Sequence, residues 1–226
     1  MHHFLTTNQT EPPFVSALAY SLMMALLLLS VYASIKYHKN PSFVKSMKIL
    51  QLCQLAILYS WYVVFQLPLA NSLPLYHCRL AMFAVVFLPD KWPSKQYFAL
   101  LGASGAVFAL GYPVFDPYDF PHITSFSFLI GHYALLVNSL IYLMNHYDKT
   151  QLKKYTIVLY TFVLDAFLVG VNQVTSGNYG LLKSPPFISQ HNLLVKYLAV
   201  SIILSATLLL FDEVFKKRWK KQLEIF

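Results

Sequence analysis

The sequence predicts an all-α fold: a polytopic integral membrane helical bundle with about seven transmembrane helices. Three observations lead there. Of the 226 residues, 57% are hydrophobic and only 12% are charged, against about 25% charged in soluble domains. The apolar residues gather into seven runs, most of them near the roughly 20 residues that a helix needs to cross hydrocarbon. Basic residues collect in alternate gaps between the runs, as in a chain that threads back and forth across a bilayer.

The runs lie at 14–35, 44–66, 72–89, 96–112, 123–145, 154–174 and 191–212. Only helices and closed barrels satisfy their backbone groups in lipid, and these runs are too long for barrel strands. Pro12 and Pro13 precede the first run, Pro93 the fourth and Pro121 the fifth, where a helix start tolerates proline. The third is short, opens with Pro74 and contains His77 and Arg79, so a tilted or half-buried helix is expected there. The fourth carries Gly102, Ala103, Ser104, Gly105 and Ala106, small residues that let helices approach closely. The spans leave only short loops, so 1–226 reads as one membrane-embedded domain without an internal repeat.

Charge sets the expected direction. Fourteen of the 17 Lys and Arg residues fall in 36–48, 90–95, 148–154 and the tail with Lys216, Lys217, Arg218, Lys220 and Lys221. The opposite loops carry Lys183 alone, with Glu11, Asp116 and Asp119. Lys and Arg accumulate on the cytoplasmic side, which puts the N-terminus outside and the C-terminus in the cytoplasm. The net charge of +8 is thus a membrane border, with anionic inner-leaflet lipid as the partner of the basic tail. A nucleic-acid partner is not expected, because no solvated basic patch is visible. The opening MHHFLTTNQTEPP lacks the basic region and cleavage site of a signal peptide, and His2 and His3 read as a flexible terminus. Cys53 and Cys78 both sit in apolar runs, which gives no disulfide framework. The compact chain suits a multi-pass protein of the cell membrane, of bacterial plasma membrane type.

Polar residues inside lipid are costly and mark functional candidates. Here they are His77, Cys78, Arg79, His132, Asn138, Asp165, Asn172, Gln173 and Lys196. Cys78 lies about 9 Å and His132 about 14 Å from the outer ends of their runs at 1.5 Å per residue, a difference that ordinary tilt of about 20° can level. A Cys and a His that meet are the minimal kit for acyl transfer: the imidazole takes the thiol proton and the thiolate attacks an ester carbonyl. The alternative is a packing cysteine and a histidine that bonds a neighbouring helix.

Three stretches resemble a known family. LPLYHCRLAMF (73–83), GYPVFDPYDFPHITSFSFLIGHY (111–133) and NQVTSGNYGLLKSPP (172–186) look like successive signatures of the bacterial YwaF-like integral membrane family, which includes the eukaryotic transmembrane protein 164 group. The family pattern has a His two residues before the Cys. Tyr76 occupies that position here and His77 follows it, a rotation of about 100° on a helix. The eukaryotic members are regarded as acyltransferases that remodel lysophospholipids. The resemblance implies Cys78 as the residue that takes the acyl group as a thioester and His132 as general base.

The motif ends fall on the expected outer side, away from cytosolic acyl-CoA. The expected activity is therefore CoA-independent transacylation, with membrane phospholipids and lysophospholipids as substrates and no cofactor. A lipid hydrolase using the same Cys–His pair is one alternative, and a small-solute transporter lined by Asp165, Arg79 and Lys196 is another. His77 and His122 are supporting candidates, the latter binding substrate or orienting a catalytic group. Asn172, Asn178 and Tyr179 are candidates for head-group or oxyanion binding, or else turn chemistry. Arg79 holds a lipid phosphate, pairs with Asp165, or snorkels; Lys196 grips a phosphate or snorkels. A metal is not expected, because His122 and His132 are some 15 Å apart along a helix.

Overall fold

A computed structural model of the chain describes residues 4–186, 188–189 and 191–223. His2 and His3, and the side chains of Lys220 and Lys221 in the basic tail, lie outside the described residues. All regular structure there is helical: α1 Ala17–Tyr37, α2 Pro41–Val64, α3 Leu69–Ser72, α4 His77–Phe87, α5 Pro93–Gly111, α6 Ile123–His146, α7 Lys154–Thr175 and α8 Leu193–Leu223, with one 3-10 turn at Tyr179–Leu181.

Each predicted run corresponds to a helix. Five of them, α1, α2, α6, α7 and α8, are long and apolar enough to cross a membrane. Their outer faces are uncovered: Leu18 is 72% exposed, Val63 75%, Val174 87% and Leu210 69%. Contiguous apolar surface of this kind marks a membrane or protein contact, and on helices of this length it marks a multi-pass membrane protein. α1 buries only Met23 and Ser34 against the rest of the chain.

α5 is the exception that explains itself. It is 19 residues long, about 29 Å at 1.5 Å per residue, yet it is the least like a lipid-facing helix because protein surrounds it. Ala99, Leu100, Leu101, Ala103, Ala106 and Leu110 are completely buried. Its small residues admit neighbours at close range. A Cβ built on Gly102 would lie 2.7 Å from Leu135 Cδ1 of α6, and one on Gly105 would lie 2.9 Å from Cys78 Sγ of α4.

The third predicted run departs most from expectation. In place of one helix over 72–89 there are a single turn, α3, an extended link through Pro74, and then α4. Leu73 has extended backbone (ψ 149°), as proline imposes on the residue before it, and Tyr76, which precedes α4, is extended as well (ψ 141°). α4 stops at Leu88, also extended, ahead of Pro89. Its 11 residues rise about 16 Å, about half the hydrocarbon thickness of roughly 30 Å. α8 departs the other way, its 31 residues carrying the helix into the basic tail well beyond 212.

The basic loops gather at one end and are tied there by hydrogen bonds. Lys95 is 3% exposed and donates to Leu88 O and Asp90 Oδ1, both at 2.7 Å. Gln96 and Asp148 exchange two bonds, at 3.1 and 2.9 Å, Asn145 Nδ2 donates to His38 O at 2.8 Å, and the Tyr147 hydroxyl donates to Asp212 Oδ1 at 2.8 Å. Lys95, counted from sequence as a border charge, is a buried clamp between the α4–α5 loop and α5.

The close approach at α5 yields a prediction. Gly102→Val forces Leu135 and Ser139 of α6 outward, and overpacking of this kind costs about 1–3 kcal/mol. A lower Tm of the purified variant in detergent is the expected result.

Candidate functional site

At the end opposite the basic loops, the three sequence motifs come together. The segment ahead of α4 cannot hold its own position, because it is neither helix nor sheet, and the third motif holds it. Tyr179, fully buried, donates its hydroxyl to Leu69 O and accepts from Leu73 N at 3.0 Å. Its ring meets Tyr76 edge-on at 5.0 Å. Asn172 in turn holds Tyr179: Asn172 Nδ2 donates to Tyr179 O at 2.9 Å, and Tyr179 N donates to Asn172 Oδ1 at 2.7 Å. Asn178 Oδ1 accepts from Lys183 N and Ser184 N at 2.9 and 3.1 Å. Asn172 and Tyr179 thus position the segment ahead of α4, while Asn178 closes the turn of its own loop.

His77 opens α4 and points at α7. Its Nε2 donates to Asp165 Oδ1 at 2.7 Å, and Ser201 Oγ of α8 donates to Asp165 Oδ2 at 2.8 Å. Asp165 and Ser201 are completely buried. The chain His77–Asp165–Ser201 joins three helices and satisfies a carboxylate in the interior, where an unpaired one would be very costly. It also removes one expected pairing: Asp165 belongs to His77, and Arg79 forms no ion pair among the described residues. Gly180 has φ +67° and lies so close that a Cβ there would be 2.9 Å from His77 Cε1. Only glycine tolerates both demands.

One residue on, Cys78 turns toward α5, with its sulfur against Gly105. It is a free thiol, as is Cys53, which is exposed on α2. Met82, one turn deeper on the same face of α4, lies against α6: a Cβ on Gly131 would be 3.1 Å from Met82 Cε. The next residue on α6 is His132. It is half-buried, and its Nδ1 donates to Phe128 O at 2.7 Å while its ring packs on Phe128 at 4.4 Å. A carbonyl oxygen only accepts, so Nδ1 carries the hydrogen and Nε2 keeps its lone pair. Cys78 and Met82 share one face of α4, and it is Met82 that meets α6 at Gly131, the residue before His132.

Arg79 faces α2. Its guanidinium carbon lies 5.2 Å from the ring centroid of Tyr62 and 5.0 Å from that of Tyr76. Tyr59 and Tyr62 belong to this group, and nothing in their sequence context marks them. Gln51 and Gln54, also on α2 and also unmarked, form a buried polar line into α6: Gln51 Nε2 donates to Gln54 Oε1 at 2.8 Å and Gln54 Nε2 to Ser127 Oγ at 2.6 Å.

His122 is not available to substrate. It caps α6, accepting from Thr124 N at Nδ1 (3.3 Å), while Nε2 donates to Thr6 O at 3.0 Å. Its ring stacks on Tyr118 at 4.1 Å and meets Trp61 edge-on at 5.3 Å. Both nitrogens and both faces are thereby used. Lys196 Nζ donates to Lys183 O at 2.7 Å. Among the described residues no three His, Cys, Asp or Glu side chains gather as metal ligands would.

Two predictions follow from these roles. Tyr179→Phe removes both hydroxyl bonds that pin the α3–α4 link, at about 0.5–1.5 kcal/mol each; the expected result is a lower Tm together with faster proteolysis of that link. Burial holds the His122 imidazole below its ordinary value of about 6.5, outweighing the bond to Thr6. The unfolded chain therefore binds the proton more readily, and this contribution to stability is complete above about pH 6.5 and is lost as pH falls below it. His122→Asn retains a capping acceptor without the titration, so Tm falls less steeply from pH 7 to pH 5 in the variant than in the wild type.

No curated protein and no solved structure matches the chain. The sequence profile described as the TMEM164 family matches residues 4–212, which takes in all three motifs, the His77–Asp165 pair, Cys78 and His132. The chain belongs to the TMEM164 family.

Proposed function

We propose that this protein is a membrane-embedded phospholipid-remodelling acyltransferase that works as a CoA-independent transacylase, with Cys78 as nucleophile and His132 as general base. The observation that carries this reading is the state of His132: its Nδ1 hydrogen is committed to Phe128 O, which leaves Nε2 as a proton acceptor on the helix that packs against Met82, one turn from Cys78 on α4. The likeness of all three motifs to acyltransferase members of the YwaF-like group supports the same pairing.

In the first step His132 Nε2 takes the thiol proton and the sulfur attacks an ester carbonyl of a phospholipid. The C–O bond to the glycerol breaks, and the departing alkoxide takes the proton from His132. In the second step His132 takes the proton of a lysophospholipid hydroxyl, whose oxygen attacks the thioester. The C–S bond breaks and the proton returns to the thiolate, so no net proton or electron is consumed. Gly105 leaves Cys78 room at the α4–α5 contact, and α5 shields the thioester from water, which favours transfer over hydrolysis.

The finer topology belongs to this proposal. Counting α4 and α5 with the five long apolar helices gives seven crossings, with α4 completed by the extended link ahead of it. The basic end then faces the cytoplasm by the excess of Lys and Arg, and the motif end faces outward, where lipid donors are at hand and acyl-CoA is not. In a bacterial cell this is the plasma membrane. At the basic end, a groove of about 590 Å³ lined by Lys39, Lys45 and Lys48 suits anionic lipid.

Purified protein in mixed micelles, given a fluorescent lysophospholipid and a diacyl donor, tests the assignment. Cys78→Ala is expected to reduce transfer on the order of a thousand-fold or more, and His132→Gln about a hundred-fold or more. The wild type is expected to accumulate a hydroxylamine-sensitive acyl adduct on Cys78. Undiminished transfer by Cys78→Ala overturns the covalent mechanism.

A further inference from the structure

Arg79 poses an accounting problem. It is a cation inside the bundle, one residue from Cys78, and the carboxylate nearest in the sequence reading, Asp165, is taken by His77 and Ser201. Among the described residues Arg79 makes no ion pair, and its Nη1 is buried without a hydrogen-bond partner. Across from it, the hydroxyl of Tyr59 is likewise buried and unpartnered. The guanidinium lies within side-chain hydrogen-bonding reach of the Tyr59 and Tyr62 phenols, but neither its Nη1 nor the Tyr59 hydroxyl completes a bond of full geometry. Asp116 of the loop ahead of α6 acts on Arg79 only at a distance.

The surroundings are built around the guanidinium. Tyr62 and Tyr76 present their rings to it at 5.2 and 5.0 Å. Tyr59 packs edge-on against Tyr62 at 5.4 Å and against Phe83 at 5.5 Å, and Phe83 lies one turn below Arg79 on α4. α2 and α4 thus hold the cation in place with aromatic faces and supply no anion to it. Rings offset part of the cost of such a charge, but a cation in the membrane interior is normally paired.

We infer that Arg79, together with the Tyr59 hydroxyl, is the binding site for the phosphate of a phospholipid. A phosphodiester carries its negative charge permanently, so it matches a permanent cation. Its non-bridging oxygens accept from a guanidinium edge and a phenol at once. The neighbouring positions of Arg79 and Cys78 make chemical sense for such a ligand. Consecutive residues on a helix diverge by about 100°, so Arg79 addresses α2 while Cys78 addresses α5. A glycerophospholipid has its phosphate and its acyl esters on one small glycerol, and it bridges that divergence: phosphate on Arg79, ester carbonyl at the sulfur. The site selects phosphorylated lipids over neutral glycerides. Its use in catalysis rests on the acyl-transfer reading above; the binding itself does not.

The test is equilibrium binding to full-length protein in nanodiscs. The probes are a fluorescent lysophosphatidylcholine and a monoacylglycerol of the same chain, with inorganic phosphate as competitor. The variants are Arg79→Met, Arg79→Lys and Tyr59→Phe. Loss of a charge-assisted hydrogen bond predicts about ten- to a hundred-fold weaker lysophospholipid binding in Arg79→Met. A smaller loss, about three- to ten-fold, is expected for Tyr59→Phe, which keeps the ring and so keeps the fold. Arg79→Lys retains part of the affinity, and monoacylglycerol binding is equal in all four proteins. Competition by millimolar phosphate assigns the site to the phosphate group alone; no competition assigns it to the phosphate within a lipid. Wild-type lysophospholipid affinity in both Arg79→Met and Tyr59→Phe overturns the inference. So does a parallel loss of monoacylglycerol binding, which marks general unfolding of the pocket. Should Cys78→Ala transfer acyl chains normally while Arg79→Met still loses lysophospholipid, the enzyme reading fails and the phosphate site stands.

Discussion

The spacing between α4, α5 and α6 is set by what α5 lacks. Gly102 and Gly105 have no side chains, and the positions of Leu135 and Cys78 are those that a Cβ on either glycine would deny. Without a hydrophobic drive between helices in lipid, association depends on close van der Waals contact and on hydrogen bonds across the interface. The glycines supply the first. Because α4 and α6 both approach α5, they also approach each other, and Met82 of α4 comes to rest against Gly131 of α6.

Polar groups in the interior follow a division of labour. At the basic end, Lys95, Gln96, Tyr142 and Asp212 are used to tie loops to helices. At the motif end, Asn172, Tyr179, His122 and the His77–Asp165–Ser201 chain do the same. Among the buried polar atoms left without a partner are Nη1 of Arg79, the residue after Cys78, and the hydroxyl of Tyr59.

The third motif shows how positioning and function separate. Its residues Asn172 and Tyr179 hold a short extended link in place. The link is needed because α4 is too short to carry Cys78 to its level by continuous helix. A helix of this length anchored only at its inner end would fray at the end that matters, and Tyr179 and Asn172 prevent that from the loop side. His77 adds a lateral tie to α7 and α8, so that Cys78 has supports on both sides.

Much of this was legible in the order of residues. Hydropathy placed five of the seven predicted helices within three residues of their observed bounds, because an apolar run of some 20 residues in lipid has little choice but to be helical; the third run broke at Pro74 and the last continued into the tail. The small-residue stretch marked α5 as the packing centre, and lysine alternation separated the two ends. Pro74, with the short length of the run and its His77 and Arg79, marked the third run as irregular. What the sequence by itself did not decide is which polar atoms remain free. Asn172, Asn178, Tyr179 and His122 read as ligands as easily as caps, since an amide, a phenol or an imidazole bonds loop and lipid by the same chemistry. From sequence Asp165 offered a partner for Arg79; its pairing with His77, on a different face of α4, emerges only when the helix acquires its rotation. Tyr59 and Tyr62 looked like ordinary membrane aromatics until α2 brought them to Arg79. Helix formation is governed by local composition and the solvent. Partner choice among buried polar groups is governed by rotation and depth, which only the packed bundle sets.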